Sequence, residues 1–175
     1  MGSPHDSRRW VVTSTSPRSP PREATRSSLD QNGWFLSGDL VRREAHGGVA
    51  FVSRMKDMIK VGGENVAPGE IEGYLITHPA ISNVAVVGAP DRRYGEVACA
   101  YVQLSPGATL TEQELIEFCV GEISTFKVPR YMRVVDDFPV TANQKVQKVE
   151  LRTQIAAELL AAGITEAPRL QSQRS

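Results

Sequence analysis

The spacing of hydrophobic and polar residues changes several times along this chain, and each change marks an expected element. Two short runs of alternating apolar residues surround "HGG" in the stretch "GWFLSGDLVRREAHGGVAFVSR". Alternation with a period of two is typical of strands, and glycine reaches the positive φ angles of tight turns. The pattern therefore predicts a β-hairpin with strands near residues 40–43 and 49–53.

Beyond Arg54, strand-like and helix-like segments alternate. "DMIKVGGENV" predicts a short strand broken by a glycine pair, "ISNVAVVGAP" and "EVACAYVQL" predict two strands joined by a polar turn, and "YMRVV" predicts another strand. "APGEIEGYLITHP" predicts a helix that begins at Pro68 and ends before Pro79. Proline suits the first helical turn and disfavours helical geometry in the residue before it.

Two further helices follow from local signals. Thr111 and Glu114 have the spacing of a capping box ahead of apolar residues at helical intervals. The last helix carries apolar residues four apart and a closing glycine: Leu151, Ile155, Leu159 and Gly163. The sequence therefore predicts an α+β fold over residues 55–162, in which flanking helices cover a three-stranded sheet with a short extra hairpin.

The length of 175 residues accommodates one domain of ordinary size with flanking material. Residues 1–22 are rich in Ser, Pro and Arg without a regular period, so we expect them to be disordered or unrelated to the rest. Residues 23–54 contain the predicted hairpin. Residues 163–175 are expected to form a flexible tail.

Charge and composition exclude several classes of function. Twenty basic and 20 acidic residues give a net charge of zero, which argues against nucleic-acid binding and polybasic membrane attachment. No apolar run is long enough to span a bilayer, and the N-terminus lacks a signal-peptide pattern. Cys99 and Cys119 show no CxxC spacing, which favours buried thiols in a cytoplasmic protein and predicts no metal site.

Three stretches carry residues that packing alone does not require. Asp39 in "GDL" can accept hydrogen bonds from a vicinal diol such as ribose, although a turn aspartate is the commoner interpretation. Gly62 and Gly63 weaken a strand, which indicates a bulge or a ligand close to the main chain. Lys145, in the polar loop "VTANQKVQK", is either a solvated charge or a cation directed at a reacting oxyanion.

"GWFLSGDL", "SRMKDMIKVGGENVAPGEIE" and "FPVTANQKVQKVELR", in this order and spacing, resemble three late core motifs of the adenylate-forming superfamily. That superfamily includes acyl-CoA synthetases, the adenylation domains of peptide synthetases, and firefly luciferase. The resemblance covers about residues 23–162 and is strongest to medium- and long-chain fatty acid–CoA ligases. It implies a small C-terminal lid domain, preceded by a hairpin from the end of the large AMP-binding domain.

Enzymes of this superfamily use ATP and Mg²⁺ to convert a carboxylic acid to an acyl-adenylate, and the ligases then transfer the acyl group to CoA. By the resemblance, Asp39 and Arg54 hold the ribose of the adenylate. Lys145 matches the catalytic lysine that contacts the carboxylate and the phosphate. ATP, Mg²⁺ and CoA are then substrates of the complete enzyme, and no bound cofactor is expected in this chain.

The same resemblance assigns two further roles. Lys56 falls at the hinge about which the small domain swings between the two half-reactions, and a hinge residue absorbs backbone rotation. Gly62 and Gly63 line the passage for the pantetheine arm of CoA. Arg92, Arg93 and Lys127 could meet the phosphates of CoA, but surface charges are the simpler interpretation.

The chain departs from the superfamily pattern in three respects. Gln144 stands where glycine usually precedes the lysine, and Ser37 replaces a common threonine while keeping the hydroxyl. Residues before about Pro21 do not resemble the large N-terminal domain. We therefore expect this chain to be inactive alone and to need a large domain, which could be encoded separately.

Two other functions stay open at this point. One is a non-catalytic domain that binds CoA or a protein partner. The other is part of a peptide-synthetase adenylation domain, which would transfer its acyl group to a carrier protein.

Overall fold

The computed structural model describes residues 38–44 and 46–170. The segment 1–22, Ser37 and the end of the predicted tail, 171–175, lie outside the described residues. The chain divides between Lys56 and Asp57 into two compact units. The described part of the first unit is a hairpin, and that of the second is a five-stranded sheet with three helices.

The first unit contains the predicted β-hairpin. Its strands are β1, Asp39–Arg43, and β2, Val49–Arg54. They are antiparallel, with Asp39 opposite Arg54, and Gly47 in the connecting turn has a φ of 87°. The hairpin expected from the alternating pattern is therefore confirmed. A single 3-10 turn, Met55–Asp57, follows β2.

The second unit contains the remaining elements. Its strands are β3 (Ile59–Val61), β4 (Glu64–Val66), β5 (Ile81–Asp91), β6 (Gly95–Leu104) and β7 (Tyr131–Val134). Its helices are α1 (Pro68–Leu75), α2 (Glu112–Cys119) and α3 (Lys148–Ala161). These elements lie where the periodicity placed them, and the predicted α+β class is confirmed.

The sheet has five strands rather than three because the short β3–β4 hairpin joins its edge. The central strand, β6, pairs antiparallel with β5 and parallel with β7. At its first residue, Gly95, it also pairs with Val61 of β3. The N–H of Gly62 donates to the carbonyl of Tyr94 at 2.7 Å. The turn of the short hairpin is thereby held against the start of β6.

Helices cover both faces of this sheet. Side chains along β6 alternate between two cores: Val97, Cys99 and Tyr101 lie on the α3 side, and Ala98, Ala100 and Val102 lie on the side of α1 and α2. Each helix contributes fully buried residues: Ile71 and Leu75 from α1, Leu115 and Cys119 from α2, and Leu151, Ile155 and Leu159 from α3. The continuous apolar run of β6 reflects burial on both faces.

The helix ends follow the predicted local chemistry. The hydroxyl of Thr111 accepts a hydrogen bond from the Glu114 N–H at 3.2 Å, and the Glu114 carboxylate accepts one from the Thr111 N–H at 2.8 Å. The capping box is thus confirmed. Gly163, just beyond α3, has a φ of 67°, as expected of a closing glycine. No helix among the described residues is long and apolar enough to cross a membrane.

The segment after α3 is bound to the turn between β5 and β6. The buried carboxylate of Asp91 accepts hydrogen bonds from the N–H groups of Ala167 at 2.6 Å and of Arg93 and Tyr94 at 2.8 Å. Burial opposes its ionisation, but these hydrogen bonds outweigh burial and hold the pKa of Asp91 below its usual value. The described part of the predicted tail, 163–170, therefore makes specific contacts with the domain.

Candidate functional site

Gly62 and Gly63 form the two-residue turn of the β3–β4 hairpin. Their φ angles are 59° and 95°, and Val61 pairs with Glu64 on either side of them. A turn with positive φ at both central positions matches the strand twist and favours glycine. A Cβ atom at Gly62 would also lie 3.3 Å from the ring of Tyr94. The turn geometry accounts for the glycine pair without requiring a ligand.

Lys145 lies in a short closed loop between β7 and α3. A β-bridge joins Val140 to Val146 at the base of the loop. The N–H of Thr141 donates to the carbonyl of Lys145 at 2.8 Å, and the Thr141 hydroxyl accepts a hydrogen bond from the Lys145 N–H at 3.3 Å. The Lys145 side chain is exposed. The loop therefore restrains the lysine backbone while leaving its ammonium group accessible.

Gln144, immediately before the lysine, has a left-handed backbone. Its φ is 60°, and it is the one non-glycine residue with positive φ in the described part of the chain. Its N–H donates to the carbonyl of Thr141 at 2.9 Å. This conformation costs an L-residue roughly 1–2 kcal/mol relative to ordinary helical geometry. The chain thus holds here, under strain, a geometry that glycine adopts freely.

Replacing Gln144 by glycine is expected to raise the free energy of unfolding by about 0.5–1 kcal/mol, because relief of strain exceeds the added entropy of the unfolded chain. Asn143→Gly is the matched control, since Asn143 has no positive φ to relieve. That control should lower stability by about 0.4–1 kcal/mol. Urea unfolding of both variants measures the two changes. An equal loss of stability in the Gln144→Gly and Asn143→Gly variants would contradict the strain assigned to Gln144.

Asp39 and Arg54 lie side by side in the first unit. The Nε atom of Arg54 is 3.3 Å from Oδ1 of Asp39, because the register of β1 and β2 places the two residues opposite each other. The structure thus brings together the pair that the resemblance assigns to the ribose. Lys56 follows in the 3-10 turn, is exposed, and is the last residue of the first unit.

The other basic residues considered for CoA have acidic partners. Arg92 donates from Nε to Glu166 at 2.8 Å, and Nε of Arg93 lies 3.3 Å from the same carboxylate. The Nζ atom of Lys127 is 2.7 Å from Glu70. Arg92, whose side chain is 76% exposed, fits the interpretation as a surface charge, whereas the side chains of Arg93 and Lys127 are partly buried in their ion pairs.

Both cysteines are buried and free, as the sequence predicts. Burial raises the pKa of Cys99 and of Cys119 to about 12, so both thiols stay protonated at neutral pH. Within the described ranges, no group of His, Cys, Asp and Glu is placed to hold a metal ion. No ligand for Mg²⁺ is therefore assigned to this part of the chain.

Two acidic residues that organise the domain are not evident from the sequence. Asp91 fastens the segment after α3, and its one sequence signal is the polar turn "PDRRYG". Glu72 on α1 accepts hydrogen bonds from Nζ of Lys148 at 2.6 Å and from the Val86 N–H at 2.7 Å. Nothing in "GEIE" distinguishes Glu72 from Glu70, because its partners are distant in sequence.

Comparison with known proteins shows which family the chain resembles. Residues 70–145 match the family model of the AMP-binding enzyme C-terminal domain. The chain is 43% identical over 131 residues to YngI, a putative acyl-CoA synthetase of Bacillus subtilis strain 168, covering 75% of this chain and 24% of that protein. It is 42% identical over 137 residues to the mitochondrial medium-chain acyl-CoA ligase ACSF2 of Macaca fascicularis, covering 78% and 22%.

Among solved structures, ATP-bound MatB from Rhodopseudomonas palustris aligns with a TM-score of 0.72 and 36% identity, covering 75% of this chain and 26% of that chain. The chain spans about a quarter of the length of the curated relatives it matches.

The fold and these matches define the class: the second unit is a C-terminal domain of the adenylate-forming superfamily. More narrowly, the relatives YngI and ACSF2, which are 43% and 42% identical to the chain over the aligned residues, are described as a putative acyl-CoA synthetase and a medium-chain acyl-CoA ligase. The resemblance inferred from the three sequence motifs is therefore confirmed.

Proposed function

We propose that this chain is the C-terminal part of an acid–CoA ligase that activates a fatty acid with ATP and transfers the acyl group to CoA. The observation that carries the proposal is the presentation of Lys145. Its backbone is restrained by hydrogen bonds to Thr141, whereas its side chain is exposed at the end of a stretch that matches the family model. A lysine held in this way can meet a substrate anion without reorganising the loop.

In the first half-reaction, the ammonium group of Lys145 contacts the substrate carboxylate and the phosphate that it attacks. A preorganised cation stabilises the negative charge that develops on these oxygens, and this effect grows as water is excluded. Asp39 and Arg54 hold the ribose. The carboxylate of Asp39 accepts hydrogen bonds from the diol, and the guanidinium of Arg54 lies beside that carboxylate. Their contact across the hairpin supports a joint role.

In the second half-reaction, the domain rotates about Lys56 and the pantetheine arm passes Gly62 and Gly63. The division of the chain directly after Lys56 supports the hinge assignment. The Gly63 position has open space where a side chain would stand, which supports a close approach by a slender ligand. The turn geometry alone also requires glycine there, so the assignment of Gly62 and Gly63 to a passage for the pantetheine arm rests on the resemblance.

Fatty acids are the substrate class we propose, since ACSF2 is described as a medium-chain acyl-CoA ligase. The predicted cytoplasmic location stays a prediction, because the same relative is described as mitochondrial. The residues that would select the acid are not among those assigned above. Holding ATP, metal and acid together can lower the activation barrier by roughly 7–11 kcal/mol. One small domain cannot supply this positioning, so a large domain is proposed as the necessary partner.

The test uses the full 175-residue chain and the part of ACSF2 that lies outside the matched region, mixed or fused as a chimera. Octanoate, ATP, Mg²⁺ and CoA are supplied, and AMP and octanoyl-CoA are measured. We expect product from the mixture or the chimera and none from either piece alone. Product from the chain alone would contradict the need for a large domain, and octanoyl-CoA from neither combination would contradict the ligase proposal in favour of a binding domain.

A further inference from the structure

Glu72 joins three elements of the second unit through one carboxylate oxygen. It lies on α1, and its Oε1 accepts hydrogen bonds from the Val86 N–H in β5 at 2.7 Å and from Nζ of Lys148 in α3 at 2.6 Å. The Glu72 side chain is 22% exposed and that of Lys148 is 27% exposed. A partly buried, charge-assisted contact of this kind fixes geometry more firmly than an exposed ion pair does.

The contact with β5 anchors the carboxylate itself. Among the described strands, β5 pairs only with β6, so the backbone groups on its other side have no neighbouring strand as a partner. Glu72 supplies the acceptor for the Val86 N–H on that side. The position of its carboxylate is therefore set by the sheet as well as by α1.

The start of α3 depends on this anchor. The residue before the helix, Gln147, makes no side-chain cap, and its side-chain amide donates to the Val140 carbonyl at 3.0 Å. Lys148 then places a positive charge at the first helical position, where the helix dipole disfavours cations. The carboxylate of Glu72 offsets that cost and ties the first residue of α3 to α1 and β5.

The Lys145 loop, residues 140–146, is closed by the bridge between Val140 and Val146 and ends just before Lys148. The Gln147 N–H donates to the Pro139 carbonyl at 2.7 Å, and the Lys148 N–H donates to the Val146 carbonyl at 3.1 Å. Whatever fixes Lys148 therefore fixes the closing end of the loop. We propose that Glu72 is a positioning residue for Lys145, acting through its ion pair with Lys148. This inference rests on the catalytic role proposed for Lys145.

The first experiment measures the loop directly in the full chain. Glu72→Gln keeps an oxygen acceptor for the Val86 N–H but removes the charge that holds Lys148. We expect backbone hydrogen exchange at Gln144 and Gln147 to become about tenfold faster, with little change elsewhere. Lys148→Met breaks the same pair from the other side and should also speed exchange at these positions, but by less, because it also removes the positive charge that the helix dipole disfavours. Unchanged exchange in both variants would overturn the proposal.

Glu70→Gln is the matched control. Glu70 lies on the same helix and loses the same charge, but its partner is Lys127, at 2.7 Å. We expect this variant to leave exchange in the Lys145 loop unchanged. An effect equal to that of Glu72→Gln would mean that charge on α1, rather than the tie to Lys148, controls the loop, and would overturn the inference.

The second experiment separates positioning from a general structural role. In the chimera, Glu72→Gln should slow octanoyl-adenylate formation about tenfold, because small displacements of a catalytic group carry large rate costs. Thioester formation from supplied octanoyl-adenylate should be unchanged. In a Lys145→Ala background, Glu72→Gln should have no further effect on adenylation. Equal loss in both half-reactions, or a full tenfold loss in that background, would overturn the role.

The two proposals fail in different ways. If Lys145→Ala leaves adenylation intact, the proposed function of Lys145 fails, whereas faster exchange in Glu72→Gln would still establish the structural tie. If Lys145→Ala slows adenylation but Glu72→Gln alters neither exchange nor rate, the further inference alone is wrong.

Discussion

In the chimera, Lys145→Ala is expected to slow octanoate-dependent pyrophosphate exchange by about 10²- to 10³-fold, the usual cost of losing one preorganised group that stabilises oxyanion charge. The loop stays closed without the side chain, because its hydrogen bonds use the backbone of Lys145 and Thr141. Thioester formation from supplied octanoyl-adenylate should therefore stay largely intact. Measuring the two half-reactions separately tests this difference.

Asn143→Ala is the control for that experiment. Asn143 is an exposed neighbour in the same loop, and its loss should change neither half-reaction by more than about twofold. The assigned role of Lys145 would be wrong if Lys145→Ala slowed both half-reactions equally, because that pattern indicates a damaged fold or a lost general binding contact rather than an interaction made during adenylation.

The second large effect concerns stability. Ile155→Ala is expected to lower the free energy of unfolding by about 2–5 kcal/mol. Ile155 has no exposed surface and lies at the centre of α3, in the core that covers one face of the sheet. Its truncation removes apolar contact and leaves a cavity that the packed helix cannot fill. Urea unfolding of the full chain, followed by circular dichroism, gives the change.

Leu160→Ala is the control on the same helix. Leu160 is 83% exposed, so its truncation should change stability by less than about 0.5 kcal/mol. Similar losses for Ile155 and Leu160 would contradict the packing of α3 on the sheet.

The elements that sequence predicts well are those whose signal is local. Thr111 and Glu114 are three residues apart, and the structure contains the capping box that their spacing indicates. Alternation around "HGG" gives the first hairpin, whose register then places Asp39 opposite Arg54. The three motifs identify the superfamily because they combine several weak local signals in one order.

The contacts that escape prediction join residues far apart in the chain. Glu72 and Lys148 are separated by 76 positions, and no periodicity relates them. The edge position of the β3–β4 hairpin depends on the pairing between Val61 and Gly95 and on the hydrogen bond from the Gly62 N–H to the Tyr94 carbonyl. These contacts make the observed sheet wider than the expected one. The positive φ of Gln144 cannot be predicted from glutamine itself, which has no preference for the left-handed region. The one signal is the glycine that usually stands at this position of the superfamily motif.

The hydrogen bonds of Asp91 limit where the C-terminal end of this domain can be truncated. The apolar periodicity stops at α3, yet the N–H of Ala167 supplies one donor to the Asp91 carboxylate, and the carbonyl of Pro168 accepts from the buried guanidinium of Arg130 at 2.9 Å. Truncation after residue 162 would leave a buried acid and a buried base each short of a partner. The minimal stable fragment should therefore extend at least to residue 168, even though the peptide beyond α3 adds no helix or strand.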